Sequence, residues 1–106
     1  MKTFVALLTL ASISTSALAA STEEGRITTL YTDNAGNIAV QLDTGFPNST
    51  TECITYNGWA GIVAANANVA AALVSAKANN STVLITISRC THGGSWLSIT
   101  GVYVKS

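Results

Sequence analysis

Residues that could do chemistry are few in this sequence of 106 residues, and their spacing matches no common catalytic pattern. His92 is the single histidine, and it lies in a glycine-rich stretch, residues 91–95. A serine hydrolase needs a histidine with a nucleophile and an orienting acid at fixed positions, and no Gly-x-Ser-x-Gly elbow is present. We therefore interpret His92 as a polar turn residue, and a hydrolase that depends on it is a minor alternative.

The acidic residues also form no catalytic pattern. They are spread along the chain: Glu23, Glu24, Asp33, Asp43 and Glu52. The first two are expected in a frayed terminus, the third in a turn, and the last two on either side of a loop. A glycosidase needs two carboxyl groups that face each other across a cleft, and metal-ligand and phosphate-loop motifs are missing as well. The sequence predicts no enzymatic activity, no metal site and no cofactor.

The chain has two cysteines, Cys53 and Cys90. Their wide spacing does not match the Cys-x-x-Cys motif of redox enzymes, and two thiols with one histidine do not complete a zinc shell. In an oxidising compartment the two thiols are expected to pair. Such a disulfide closes a loop of about forty residues and stabilises the fold by roughly 4 kcal/mol in the chain-entropy model.

A second group of residues is suited to binding. Aromatic rings pack on the apolar faces of sugars, while fixed amide and hydroxyl groups make directional hydrogen bonds. The candidate ligand-binding residues fall in two segments: Tyr56, Asn57, Trp59, Ser95 and Trp96. Because a small domain needs large apolar side chains in its core, core packing of the two tryptophans is the favoured interpretation, and ligand contact is the alternative.

The first nineteen residues have the pattern of an export signal. Lys2 supplies the positive start, residues 4–10 form a short apolar run, and residues 17–19 give the small-x-small pattern that signal peptidase cleaves. The apolar run is too short to span a bilayer, so we expect cleavage before Ala20 and no membrane span in the mature chain. The mature protein, residues 20–106, is expected to be one small domain, secreted or periplasmic.

Charge excludes one class of partner. Without the leader, four basic residues stand against five acidic ones. A nucleic-acid-binding domain carries a basic patch that neutralises phosphates, and this balance provides none. Nucleic acid is therefore not an expected partner.

The first half of the mature chain predicts strands. Residues 26–32 and 37–43 alternate in polarity around a hairpin turn at residues 33–36, although the register of the first strand stays open. Residues 44–52 are expected to form an exposed loop, and residues 53–56 a short third strand.

The second half predicts a helix followed by two strands. Asn66 or Asn68 can cap an alanine-rich helix that ends near Ala78. Residues 82–90 and 96–104 alternate as strands, and Gly101 predicts a bulge that turns both Val102 and Val104 toward the core. The order β-β-β-α-β-β predicts a mainly β, five-stranded OB-like barrel, and an open α+β sheet with one helix is the alternative.

This layout resembles that of small exported bacterial proteins, and it is similar to the B subunits of AB5-type toxins, in particular that of subtilase cytotoxin. The resemblance rests on the two cysteines and on residues 25–28, 38–42, 69–77, 82–87 and 99–104. It implies a disulfide-containing OB fold, a ring-forming homo-oligomer and glycan binding. We therefore expect an exported, non-catalytic binding module with a glycan or protein ligand. The alternative is a structural or protein-interaction factor, such as an inhibitor or an envelope protein.

Overall fold

Five strands and one helix make up the computed structural model, which describes residues 20–105. The strands are β1 (Ser21–Thr32), β2 (Ile38–Leu42), β3 (Trp59–Ile62), β4 (Thr82–Thr91) and β5 (Trp96–Val104). The helix α1 (Ala67–Asn79) lies between β3 and β4. The order of elements is therefore the predicted one. The expected leader, residues 1–19, lies outside the described residues.

The strands close into one barrel with the neighbour order β1-β2-β3-β5-β4. Strands β3 and β5 run parallel, and the other neighbouring pairs are antiparallel. Closure pairs the backbone groups that an open sheet would leave at its edges. The predicted OB-like barrel is thus confirmed, and the open sheet is not formed.

Strand β1 is long because it pairs with two neighbours. Its first half pairs with β4, from Ser21 to Arg26, and its second half pairs with β2. The pairing with β2 shifts between Ile27 and Thr29. This irregularity settles the open register, because Ile27 and Leu30 both reach the core while Tyr31 points to the outer surface.

The helix begins at the predicted position. The Asn66 side chain accepts hydrogen bonds from the backbone N–H groups of Asn68 and Val69, at 2.9 and 3.1 Å. Asn80 ends it in the left-handed conformation. Leu73 and Ala76 enter the core, and α1 packs against β1 and β5.

Within residues 20–105, no helix combines the length and the apolar character needed to cross a membrane.

One core fills the barrel. Its buried residues come from all five strands, the helix and the loop after β2: Ile27, Ile38, Val40, Leu42, Phe46, Cys53, Ala60, Leu73, Ala76, Val83, Ile85, Ile87, Leu97 and Ile99. On β5, the register against β4 shifts between Ile99 and Gly101, which is the predicted bulge. Val102 packs against the core as expected. The prediction for Val104 is wrong, because it lies at the end of the strand and is 42% exposed.

The predicted third strand is misplaced. Residues 53–56 form a turn, closed by a 3.2 Å hydrogen bond from the Tyr56 N–H to the Cys53 carbonyl. Ile54, the apolar residue that suggested a strand, is 85% exposed. The third strand is β3, where Ala60 provides a side chain small enough for the crowded core beside Val40 and Leu97.

Glu23 and the loop after β2 also differ from expectation. Glu23 and Glu24 both lie in β1, so neither is in a frayed terminus, and Glu23 is only 2% exposed. Its Oε2 accepts hydrogen bonds from the Ser49 hydroxyl at 2.7 Å and from the Asn48 N–H at 2.8 Å. Phe46 and Ser49 are buried by this attachment, so the loop at residues 44–52 is only partly exposed. The Glu23 carboxyl group can be buried here because these hydrogen bonds replace the ones that it would make with water.

Glu23→Ala is expected to lower the free energy of unfolding by about 3 kcal/mol, since it leaves buried hydrogen-bond donors unpaired. Glu24→Ala is the matched control on the neighbouring residue. It removes only the exposed ion pair with Lys105, at 3.1 Å, and should cost less than about 1 kcal/mol. Urea unfolding at neutral pH measures both. Equal losses for the two variants would contradict the anchoring role of Glu23.

Candidate binding pocket

The outer surface of the barrel carries the candidate site. Side chains of paired residues point to the same side of a sheet, and register places Tyr31 opposite Ala39, Ala39 opposite Gly61, and Trp59 opposite Trp96. Ala39 and Trp96 are buried, yet neither belongs to the core cluster. They are covered on the outside of the barrel by other aromatic residues.

Gly61 makes room for this outer layer. A Cβ atom at this position would lie 2.6 Å from Cε3 of Trp96 and 2.5 Å from the carbonyl oxygen of Ile38. The absence of a side chain therefore lets the Trp96 ring lie directly on the sheet. Ala39, beside it, leaves the same space open because its side chain is a single methyl group.

Three rings are arranged edge to face around this space. The Tyr31 ring centroid lies 6.0 Å from that of Trp96, with a 69° angle between the planes. It lies 6.4 Å from that of Trp59, with an angle of 71°. Such T-shaped contacts are favourable because the positive edge of one ring meets the negative face of another.

His92 completes the site. Its imidazole stacks on the Trp96 ring, with centroids 4.1 Å apart and planes 9° from parallel. Together Tyr31, Trp59, His92 and Trp96 line a pocket of about 210 Å³. All four lining residues are aromatic, so the pocket offers ring faces and ring edges to a ligand.

The turn that carries His92 is held in an unusual backbone shape. His92 has a φ of 54°, followed by Gly93 at 66° and Gly94 at 90°. Left-handed φ values are costly for most side chains, and glycine adopts them without strain. Two hydrogen bonds fix the turn to the segment before β3: Thr55 Oγ1 donates to the Gly94 carbonyl at 2.7 Å, and the Asn57 N–H donates to the Ser95 carbonyl at 2.8 Å.

The predicted disulfide between Cys53 and Cys90 is confirmed, with a sequence separation of 37 residues. It joins the same two segments as these hydrogen bonds. Cys53 precedes the segment that leads to Trp59, and Cys90 precedes the turn that leads to Trp96. The bond therefore holds together the two stretches of chain that bring the tryptophans into the pocket.

Asp33 lies at the hydroxyl end of the Tyr31 ring. The Tyr31 hydroxyl donates to Oδ2 at 2.9 Å, and the Asn37 side-chain amide donates to the same oxygen at 3.1 Å. The other oxygen accepts the backbone N–H groups of Ala35 and Asn37. Partial burial acts to raise the pKa of Asp33, but these hydrogen bonds outweigh it and hold the pKa below its ordinary value. The same contact raises the pKa of Tyr31.

The structure separates the five predicted site residues. Trp59 and Trp96 both line the pocket. Tyr56 instead packs edge to face on Phe46, with centroids 6.4 Å apart, and contacts the core. Asn57 is exposed and contributes its backbone N–H to the turn, and Ser95 ends that turn with a backbone hydrogen bond to the His92 carbonyl.

Sequence reasoning missed Tyr31 and His92 as pocket residues. Tyr31 could have been found from the hairpin, because pairing across the turn places it on the outer surface opposite Ala39. The irregularity after Ile27 concealed this, since alternation alone assigns Ile27 and Tyr31 to the same side. His92 carries no such signal, because its position depends on the left-handed turn that folds it back onto Trp96.

Comparison with protein-family models, with curated proteins and with solved structures finds no match for this chain. No cluster of three or more metal-ligating side chains is present among the residues that the structure describes. The chemistry of the site therefore has to be argued from its own rings and charges.

Gly61→Ala is expected to push the Trp96 ring off the sheet and to lower the free energy of unfolding by about 2 kcal/mol, as overpacking does elsewhere. Gly101→Ala is the matched control, because a Cβ atom there would come no closer than 3.8 Å to Thr86. That variant should change stability by less than about 0.5 kcal/mol. Urea unfolding and near-ultraviolet circular dichroism of the tryptophans measure the two effects. Similar behaviour of the two variants would contradict the packing role of Gly61.

Acid pH should lower the stability of the fold by weakening the hydrogen bonds of Asp33 in the turn that follows Tyr31. Because the pKa of Asp33 in the folded protein lies below the ordinary value of 3.8, its contribution to stability is present above that value and is lost as the pH falls through the folded pKa. Asp33→Asn should therefore show a shallower loss of stability than the wild type between about pH 5 and pH 2. Urea unfolding midpoints across this range test the expectation, and parallel curves would contradict it.

Proposed function

We propose that the protein is an exported, non-catalytic binding module that takes a glycan at the aromatic pocket. The observation that carries the proposal is the grouping of Tyr31, Trp59, His92 and Trp96 around one open space on the outside of the barrel. A domain of this size gains most by burying aromatic rings in its core. Four aromatic residues grouped outside the core cluster indicate a use for their ring surfaces in binding.

The size of the pocket limits the ligand. Sites for drug-sized molecules span about 300–1,000 Å³, and this pocket of about 210 Å³ is smaller. It suits a single sugar ring or one substituent of a sugar, with the remainder of the glycan in solvent. Asn57 is exposed and bonds through its backbone to Ser95, the residue before Trp96, so it can offer a polar group to the hydroxyls of that remainder.

Export is supported by two independent features. Residues 1–19 have the pattern of a cleaved leader, and the Cys53–Cys90 disulfide is a bond that persists in oxidising compartments. We propose a secreted or periplasmic location on this basis. The similarity of layout to AB5-type toxin B subunits adds the proposal of a ring-forming homo-oligomer, which native mass measurement of the purified protein tests directly.

Trp59→Ala should lower the affinity for any glycan that the wild-type protein binds on a glycan array by at least about tenfold. The substitution removes a partly exposed wall of the pocket. Tyr103→Ala is the matched control: this aromatic residue is 67% exposed and does not line the pocket. It should leave binding unchanged. Circular dichroism confirms that both variants are folded.

Two results would contradict the proposal. One is an array on which the wild-type protein binds no glycan. The other is loss of glycan binding in Tyr103→Ala with normal binding in Trp59→Ala, which would place the glycan on the surface around β5 and away from the pocket.

A further inference from the structure

We propose that the group which enters the pocket is a compact organic cation, a quaternary ammonium group carried by the glycan. The inference rests on the proposed function, because it names the part of the ligand that this site recognises. It depends on the shape of the pocket, on the chemistry of its walls and on the charge beside it.

The shape favours a rounded group over a flat one. Tyr31 meets both Trp59 and Trp96 at angles near 70°, so the walls are steeply inclined to one another. A sugar ring that stacks on protein uses one open aromatic face as a platform. Trp96 cannot serve as that platform, because it is 5% exposed and its ring is stacked on His92. Inclined walls instead surround a small, nearly spherical substituent.

The walls also favour a group that needs no directional hydrogen bonds. Among the described residues the lining side chains are all aromatic, and their polar groups are few: a tyrosine hydroxyl that already donates to Asp33, two indole N–H groups and one imidazole. A sugar carries several hydroxyl groups, and those that such a site leaves without partners lose free energy relative to water. A methylated ammonium group has no such requirement, and the negative faces of Tyr31 and Trp59 attract its positive charge.

Asp33 provides the complementary charge. Its carboxylate accepts hydrogen bonds from neutral groups alone: the Tyr31 hydroxyl, the Asn37 amide and two backbone N–H groups. The one ion pair in the part of the chain that the structure describes joins Lys105 to Glu24. Within residues 20–105, the negative charge of Asp33 therefore has no ion-pair partner. The hydrogen bond from Tyr31 also transfers electron density into a ring that lines the pocket, which strengthens its attraction for a cation.

The test compares choline with its neutral isostere 3,3-dimethylbutan-1-ol, in which a carbon atom replaces the charged nitrogen. Tryptophan fluorescence and the indole N–H resonances of the wild-type protein report binding, with sodium chloride holding the ionic strength constant. Choline should bind about fivefold or more tightly than the isostere, the ratio expected for a cation held by aromatic faces. Equal affinities would overturn the inference, because they would show a pocket that selects shape and not charge.

Asp33→Asn tests the charge separately. The variant keeps an oxygen to accept the turn hydrogen bonds but removes the negative charge, so choline affinity should fall about threefold to tenfold with no change for the isostere. Asp43→Asn is the matched control, with the same change in net charge at an exposed residue that does not line the pocket. An equal loss in both variants would overturn the role of Asp33. Even without a folded Asp33→Asn protein, the comparison of choline with the isostere decides the inference.

A panel of neutral methyl glycosides separates this inference from the proposed function. If neutral glycosides bind through Trp59 and choline does not bind, the inference is overturned and the glycan-binding proposal stands. Tighter binding of choline-substituted glycans than of the same glycans without choline supports both. Absence of binding by choline and by every glycan would overturn both.

Discussion

The parallel pairing of β3 with β5 is the constraint on which the rest of the structure depends. Strand β3 is only four residues long, yet it closes the barrel by joining the β1-β2 hairpin to β5 and β4. Parallel strands cannot be joined by a tight turn, so a crossover is needed between them, and α1 with β4 provides it. The same pairing sets Trp59 beside Trp96. Barrel closure and pocket formation therefore arise from one contact.

Two layers of side chains meet at this pairing, one inside the barrel and one outside, and both require small residues at the centre of β3. Inside the barrel, β3 contributes Ala60, which fits between the larger core residues of β2 and β5. On the outside, Gly61 has no side chain and Ala39 has only a methyl group, which leaves room for the Trp96 ring to lie on the sheet. Large side chains in place of Ala60 and Gly61 would disrupt one layer or the other, which is why the two central residues of β3 are small. These two small residues made the strand hard to recognise, since strands are normally identified by runs of β-branched and aromatic residues.

Much of the fold could be predicted from local patterns, because local physics determines it. Alternation located β2, β4 and β5, the asparagine cap located the start of α1, and the turn at residues 33–36 located the hairpin. The failures involve tertiary contacts. Ile54 looked like a strand residue, but its backbone follows a turn that leads from the disulfide to β3. Glu23 looked like a residue of a solvated terminus, but long-range hydrogen bonds to the loop after β2 bury it.

The site divides in the same way. The two tryptophans could be predicted as candidates, because their size and their polar neighbours can be read from the sequence. The other two pocket residues could not, because their positions depend on how distant segments pack together. Tyr31 reaches the pocket only because the irregularity after Ile27 changes which side of β1 faces outward. His92 reaches it only because a left-handed turn, tied by Thr55 and the nearby disulfide, folds its ring onto Trp96. Asp33 joins turn formation to the electrostatics of the site, since the carboxylate that organises the hairpin turn also accepts the Tyr31 hydroxyl. A residue readily assigned to turn chemistry thus sets the charge beside the pocket, and neither role excludes the other.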